Sequence, residues 1–168
     1  MEKFTISQAQ NDADIQTIGA LADEIWHEHY ANILQPEQID YMVEKFQSPS
    51  AIGNDIRQNG YLYYLAYAGK APAGYCAIHP EEDGKTIFLS KIYVKREYRG
   101  KGLATQFLQT VLSDETAQNC QKLWLTVNKN NAGSIAAYEK LGFSVEETMV
   151  TDIGMGFVMD DYKMSRFL

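Results

Sequence analysis

The stretch Ile92-Tyr93-Val94-Lys95-Arg96-Glu97-Tyr98-Arg99-Gly100-Lys101-Gly102-Leu103-Ala104 constrains this chain more than any other. An apolar, β-branched run reads as a strand. After Gly102 the residues Leu103, Ala104, Phe107, Leu108, Val111 and Leu112 fall on one helical face. A strand therefore runs through a glycine-bearing turn into a helix. Backbone N–H groups from Arg99 to Ala104 can converge on one place with the helix dipole behind them, an anion site suited to a pyrophosphate. Gly100 and Gly102 let the chain approach phosphates without a Cβ clash, and Arg99 and Lys101 add positive charge. The spacing is neither the three-glycine dinucleotide fingerprint nor a phosphate loop with Gly-Lys before Ser or Thr. For this stretch alone, a tight turn with no ligand is the plain alternative.

The flanking pattern builds the rest of the fold. Lys3 to Ser7 alternates as a short strand, and Asn11 or Asp12 offers an N-cap for a helix to about Tyr30, with Ile15, Ile18, Leu21, Ala22, Ile25 and Trp26 on its buried face. Pro36 suits the first turn of a second helix carrying Ile39, Met42, Val43 and Phe46. Ser48-Pro49 ends it before a further helical stretch to about Asn59. Strands then follow at Tyr61 to Ala68 and Ala73 to His79 around a Gly69-Lys70 turn, and at Thr86 to Lys95. Lys122 to Asn128 completes a strand, glycine turn, helix and strand crossover. A helix from Ala132 to Leu141 stops at Gly142, and terminal strands run from Ser144 to Thr151 and from Phe157 to Phe167. The expectation is an α/β (α+β) chain, residues 1–168 as a single domain, with a mixed, mostly antiparallel sheet flanked by helices.

Composition narrows the function. A net charge of −7 over 168 residues disfavours nucleic acid as partner, since phosphate binding needs a basic patch. It agrees weakly with a cationic substrate. The amino terminus has neither a basic segment nor an apolar run, and the apolar stretches are short, so the expectation is a cytoplasmic chain with no membrane partner. Two cysteines, Cys76 and Cys120, are too few for a disulfide framework or a zinc site and read as inert thiols. No metal is expected: His27 and His29 are two apart on a helix and do not face each other.

A second segment stands about 30 residues beyond the glycines. Asn128-Lys129-Asn130-Asn131-Ala132-Gly133-Ser134-Ile135-Ala136-Ala137-Tyr138-Glu139-Lys140-Leu141-Gly142-Phe143 resembles the GNAT acetyltransferase signature N-x-x-x-I-x-x-Y-x-K-x-G-F through Asn131, Ile135, Tyr138, Lys140, Gly142 and Phe143. The glycine turn is similar to that family's acetyl-CoA turn, [QR]-x-x-G-x-[GA], through Gly100 and Gly102. The resemblance implies the GNAT fold, a twisted sheet of about seven strands, and acetyl-CoA as cosubstrate. It also assigns roles. Arg99, Gly100, Lys101, Gly102, Leu103, Ala104 and Thr105 would hold the pyrophosphate, and the backbone of Ile92, Tyr93 and Val94 would pair with the pantetheine arm. Asn131 would touch that arm, Ser134 would face the cofactor, and Tyr138 would donate a proton to the departing thiolate. A thiol near pKa ~8.5 and a phenol near ~10 make that transfer close to balanced. A packing aromatic is the plain alternative for Tyr138.

This chain also departs from the pattern. Glu97 stands where Gln or Arg is preferred and should point to solvent, Ala104 replaces a frequent third glycine, and Phe88 and Ser90 occupy the central-strand positions where relatives often carry a glutamate. Direct aminolysis needs a neutral amine, so some group must take a proton. Glu24, His27, Glu28, His29, Glu81, Glu82 and Asp83 are candidates. Trp26, His27, Tyr30, Glu81 and Ser90 are the expected acceptor contacts, the plain alternative for the first three being a wet helix face. Asp160 and Asp161 would attract a polycation or cap a turn, and the chain's ends look similar to the PaiA-like subgroup, associated with polyamines.

The resulting expectation is an N-acetyltransferase that moves an acetyl group directly to a primary amine of a small molecule or polyamine. A peptide α-amine or lysine is the alternative acceptor, and a non-catalytic CoA-binding sensor the alternative class. Acyl transfer through Cys76 is disfavoured for want of a nearby activating His. Sheet edges of this kind often pair, which is compatible with a homodimer.

Overall fold

A computed structural model describes residues 3–168. Met1 and Glu2, on which the reading of the amino terminus partly rests, lie outside the described residues. The elements in chain order are β1 (Thr5–Gln8), α1 (Asp12–His29), α2 (Pro36–Met42), α3 (Pro49–Gln58), β2 (Leu62–Ala68), β3 (Ala71–Pro80), β4 (Thr86–Val94), α4 (Leu103–Ser113), β5 (Lys122–Asn128), α5 (Ala132–Lys140), β6 (Ser144–Gly154) and β7 (Phe157–Phe167). The strands form one seven-stranded sheet in the order β1-β2-β3-β4-β5-β7-β6. Only β4 and β5 pair in parallel, joined by the crossover through α4; every other neighbouring pair is antiparallel.

Each face of the sheet buries its own core. On one side α1, α2 and α3 press Ile15, Ile18, Ile25, Trp26, Ile39 and Ile52 onto Tyr63, Leu65, Tyr75 and Ala77. On the other, α4 sets Leu103, Phe107, Leu108 and Val111 against Tyr64, Ala66, Cys76, Ile78, Leu89 and Leu125. With both faces covered, β2 reads as an unbroken apolar run, Leu-Tyr-Tyr-Leu-Ala-Tyr-Ala, instead of alternating.

Helix caps follow the sequence signals. Asn11 accepts from the Asp14 N–H to start α1, Ser48 from the Ala51 N–H to start α3, and Asn131 from the Ser134 N–H to start α5. The second predicted helix is interrupted. After Met42 the chain widens into a π-helical turn over Val43–Gln47 before Ser48. Such a turn shifts the hydrogen-bond ladder by one residue. The Phe46 carbonyl of this turn accepts from a buried lysine described below.

A second irregularity lies in β4. The register against β3 slips between Ala77 and Ile78, so Lys91 pairs with Ala77 and Leu89 with Ile78, leaving Ser90 as the extra residue of a bulge. The bulge changes which face each residue meets. Ile87 and Leu89 belong to the α4 core, and beyond the bulge Ile92 and Val94 do so, while Tyr93 joins the α1 core.

Candidate active site

The site begins where β4 and β5 part. Their parallel pairing covers Thr86 to Phe88 against Lys122 to Trp124 and then stops. Beyond Phe88, β4 still pairs with β3 through Val94, but its other edge faces no strand. The opening is a cleft of about 1030 Å³, lined on one wall by Leu89 to Val94 and on the other by Leu125 to Asn128. Peptide groups on that free β4 edge are available to an extended ligand carrying amides.

The glycine turn forms one end of the cleft. After a 3-10 turn over Arg96–Tyr98 the chain passes through Gly100 at φ 74° and Gly102 at φ 84°, left-handed conformations that a Cβ would strain. Gln106 makes the first intrahelical bond, to the Gly102 carbonyl at 3.1 Å, so the N–H groups of Leu103, Ala104 and Thr105 lie ahead of the helical ladder. Arg99, Gly100, Gly102, Leu103, Ala104 and Thr105 line the cleft. Arg99 Nε donates to the Val94 carbonyl at 3.0 Å, fixing its guanidinium beside the turn. Lys101 stands just outside the lining, with its Nζ 6.0 Å from the Tyr98 ring centroid. Glu97 pairs with Lys95 at 3.4 Å and faces solvent, which keeps its charge off the anion site.

Across the cleft, α5 contributes Asn131, Ser134 and Tyr138. Asn131 is buried and doubly used. Its Oδ1 caps α5 through the Ser134 N–H at 3.3 Å, and its Nδ2 donates to His29 Nε2 at 2.9 Å. An acceptor Nε2 means a neutral imidazole protonated on Nδ1. Burial and, secondarily, the Arg99 charge push the His29 pKa down, in the same sense. Tyr138, half-buried one turn beyond Ser134, has its phenol pKa raised, chiefly by burial and then by Tyr30 and Cys76. The proton transfer expected to be nearly balanced against a thiol is therefore less so, and Tyr138 is held firmly in its protonated, donating form. Burial pushes the Cys76 thiol up strongly as well, which makes it a poor nucleophile.

The remaining wall is aromatic and polar. Trp26 packs against Tyr30 at 4.5 Å and Tyr93 at 5.5 Å between ring centroids, and Tyr93 against Tyr75 at 5.4 Å. Trp26, Tyr30 and Ser90, among the residues expected to contact the acceptor, line the cleft. His27 and Glu81 do not, and both require correction. His27 lies on the exposed side of α1, with Nδ1 against the Asp23 carbonyl at 2.8 Å and Nε2 on Asp40 at 2.6 Å. Helical geometry turns it away when Trp26, Tyr30 and His29 face inward. Glu81 precedes the paired end of β4, far along the strand from the glycine turn, and accepts from the Trp124 indole at 3.0 Å. Of the candidate proton acceptors, only His29 reaches the cleft; Glu24 and Glu28 pair with Lys95 and Arg96, and Asp83 closes its own turn through the Lys85 and Thr86 N–H groups.

Two charged residues of the cleft carried no assigned role or an ambiguous one in the sequence. Lys91 is 7% exposed and donates to the Phe46 carbonyl and the Tyr63 hydroxyl, both at 2.6 Å, with Asp55 at 3.5 Å. Burial lowers its pKa to about 8, Asp55 opposing the shift. A lysine inside the run Ile-Phe-Leu-Ser-Lys-Ile-Tyr-Val was the available signal, since an unpaired ammonium is not buried. Asp161 on β7 is the other. It shares a strand face with Phe157 and Met159, which pack into the α1 core, so it is a wall residue of the cleft and not a turn cap.

A family model described as Acetyltransferase (GNAT) family matches residues 19–143. The chain belongs to the GNAT family of acetyltransferases. Among the similar GNAT proteins is spermidine N(1)-acetyltransferase of Escherichia coli (strain K12), 38% identical over 74 residues, or 44% of this chain and 38% of the relative. L-methionine sulfoximine/L-methionine sulfone acetyltransferase of Pseudomonas aeruginosa is 31% identical over 77 residues, 46% of this chain and 45% of the relative. The chain thus spans about half the length, or less, of these curated GNAT relatives. In fold it matches PaiA N-acetyltransferase of Thermoplasma acidophilum, solved in complex with coenzyme A, with a TM-score of 0.82 over 99% of both chains at 22% identity. The match confirms the GNAT fold, including the seven-stranded sheet.

Proposed function

We propose that this GNAT chain is an acetyl-CoA-dependent N-acetyltransferase acting directly on the primary amine of a small molecule, with polyamines as the first class to consider. The observation that carries the reading is the parting of β4 from β5 after Phe88, along the stretch of β4 that runs into the glycine turn. The residues there fit the cosubstrate. The free β4 edge offers peptide groups to the amides of a pantetheine arm, and the turn offers the N–H groups of Leu103, Ala104 and Thr105 beside Arg99 to a pyrophosphate. Acetyl-CoA supplies the activated acetyl group. Tyr138, kept protonated by its surroundings, gives the departing sulfur its proton. The aromatic wall of Trp26, Tyr30 and Tyr93 excludes water and presents ring faces to an alkylammonium.

A small acceptor fits better than a polypeptide because the far end of the cleft is roofed. Gln38 Nε2 bonds the Val158 carbonyl at 3.0 Å, Tyr41 Oη the Ile153 carbonyl at 2.7 Å, and Lys45 Nζ the same carbonyl at 2.6 Å. These contacts tie α2 and the π-helical turn to the β6–β7 hairpin and leave a pocket in place of an open groove. The spermidine relative supports a polyamine. Lys45 and Lys91 in the same lining favour a second reading, an amine that also carries an acid group, in keeping with the amino-acid derivatives named for the Pseudomonas relative.

The test is colorimetric thiol release from acetyl-CoA across polyamines, amino acids, aminoglycosides and short peptides with free amino ends. Release with polyamines supports the first reading, and release confined to amino acids moves the assignment to the second. No release with any of them, alongside tight CoA binding by calorimetry, would leave a CoA-binding domain without transferase activity.

A further inference from the structure

The acetyl-transfer reading leaves one step without a residue, because the groups singled out as proton acceptors either lie outside the cleft or, in the case of His29, already use Nε2 to accept from Asn131. Asp161 answers that need. It lines the cleft on β7, opposite Asn128 of β5 in the sheet register, and is only 7% exposed. Its Oδ1 is buried without a hydrogen-bond partner. A carboxylate taken out of water without compensation is costly and persists where a ligand supplies the missing donor.

The charges around it are few. Asp160, its neighbour on the strand, points to the other face and is paired with Lys129 at 2.7 Å, just beyond β5. From α1 the Tyr30 phenol faces it, and from β6 its cross-strand partner is the uncharged Met149. Burial and then Asp160 push the Asp161 carboxyl up to about 6, with Lys129 opposing. Tyr30 is also an electrostatic neighbour of Tyr138, so the carboxylate and the leaving-group acid both lie in the field of one phenol, and all three line the cleft.

We infer that Asp161 receives the acceptor's ammonium through its unpartnered Oδ1 and takes its proton, acting as the general base of the reaction. The inference rests on the acetyltransferase reading and deepens it. The proton moves from the substrate nitrogen to Asp161, and the freed lone pair forms the C–N bond at the acetyl carbonyl carbon while the C–S bond breaks. The sulfur leaves with a proton from Tyr138. The second proton shed by the nitrogen restores Tyr138, and Asp161 releases its proton to solvent, so the net products are the amide, the free thiol and one proton. With an amine near pKa ~10 the first transfer is uphill by about four decades, a gap narrowed by desolvation of the ammonium in the cleft. A polycation has further ammonium groups for Asp55, which also lines the cleft.

The experiment is steady-state kinetics of the full chain from pH 5 to 9 with the best amine of the panel. Asp161→Asn and Asp161→Glu are compared with wild type, and CoA binding is followed by calorimetry. We expect Asp161→Asn to lower kcat by about 10²-fold or more, the range for a positioned acid or base, and to leave the Kd for CoA within about twofold. The wild-type kcat/KM should rise through a limb near pH 6 that the Asn variant lacks and the Glu variant keeps in part. A variant within threefold of wild type, or one that raises KM alone and keeps kcat and the acid limb, overturns the inference and leaves the acetyltransferase reading standing. Wild-type protein that acetylates none of the amines removes both.

Discussion

The imidazole Nε2 of His29 accepts a 2.9 Å hydrogen bond from the side-chain amide of Asn131, joining the last turn of α1 to the cap of α5 across the cleft. The residue assigned to hold the pantetheine arm thus also holds two helices together. Asn131→Ala should remove both the cap and the link, lowering stability by about 1 kcal/mol, or about 2–4 °C in Tm. His29→Ala should lose less, because the Asn131 Oδ1 bond to Ser134 survives. A depressed folded pKa means that the stability His29 contributes is complete above pH 6.5 and is lost as pH falls through its lowered value. Thermal unfolding of both variants at pH 5 and pH 8 measures each effect, and a His29→Ala protein as acid-sensitive as wild type would contradict it.

Tyr138 should behave as an acid and not as a binding residue. Tyr138→Phe keeps the ring contact with Phe143 at 6.2 Å and removes only the hydroxyl. The expected result is a kcat lower by about 10²-fold with an almost unchanged KM for acetyl-CoA. Since the phenol pKa is raised, wild-type activity should not decline by Tyr138 ionisation below pH 10. Equal rates for the two proteins would return Tyr138 to a packing role.

Lys91 gives a pH signature of its own. With a folded pKa of about 8 against an ordinary lysine value of 10.5, the unfolded chain binds the extra proton between those limits, so stability attributable to Lys91 rises as pH climbs from 8 to 10.5. The gap in unfolding free energy between wild type and Lys91→Met should therefore move in favour of wild type by up to about 3 kcal/mol across that window. Urea titrations at pH 7.5 and 10.5 test it. A constant gap would mean that Asp55 and Tyr63 hold Lys91 fully charged throughout.

Asp161 shifts in the opposite sense. Its carboxyl is raised from 3.8 to about 6, so the folded chain binds the extra proton and stability falls as pH rises through that interval. At pH 7 Asp161→Asn should be more stable than wild type by about 2 kcal/mol, a discounted figure because the cleft admits water, and the gain should vanish below pH 4. Greater stability coupled to lost turnover is the pattern of a strained functional group. Chemical denaturation at pH 4 and pH 7 decides it, and a variant less stable than wild type at pH 7 would show that Asp161 has a structural partner.

Much of the fold was legible because its signals are local. Asn11, Ser48 and Asn131 cap helices where short polar side chains precede apolar periodicity, and β5 and β7 end where the alternation ends. The glycine turn and the Asn131–Phe143 segment were legible for the same reason, as contiguous geometry. What escaped notice depends on the third dimension. His27 and His29 differ by two residues in sequence, yet one meets Asp40 and the other Asn131. Glu81 sits beside β4 in sequence but at the paired end of the strand, away from the cleft. Asp161 gains its character from burial in the wall of the cleft, where other elements cover it, and no periodicity along β7 distinguishes it from Asp160.

The bulge at Ser90 makes the central strand sensitive to register in a way that residue-by-residue substitution would not reveal. Drawing Ser90 into a plain ladder as a paired residue would exchange the two sides of everything from Lys91 to Val94, driving an ammonium into the α4 hydrocarbon and swinging Ile92 and Val94 toward α1. A chain that drifted by one position here would keep its composition, its glycine turn and its signature residues, and would still have turned its chemistry inside out.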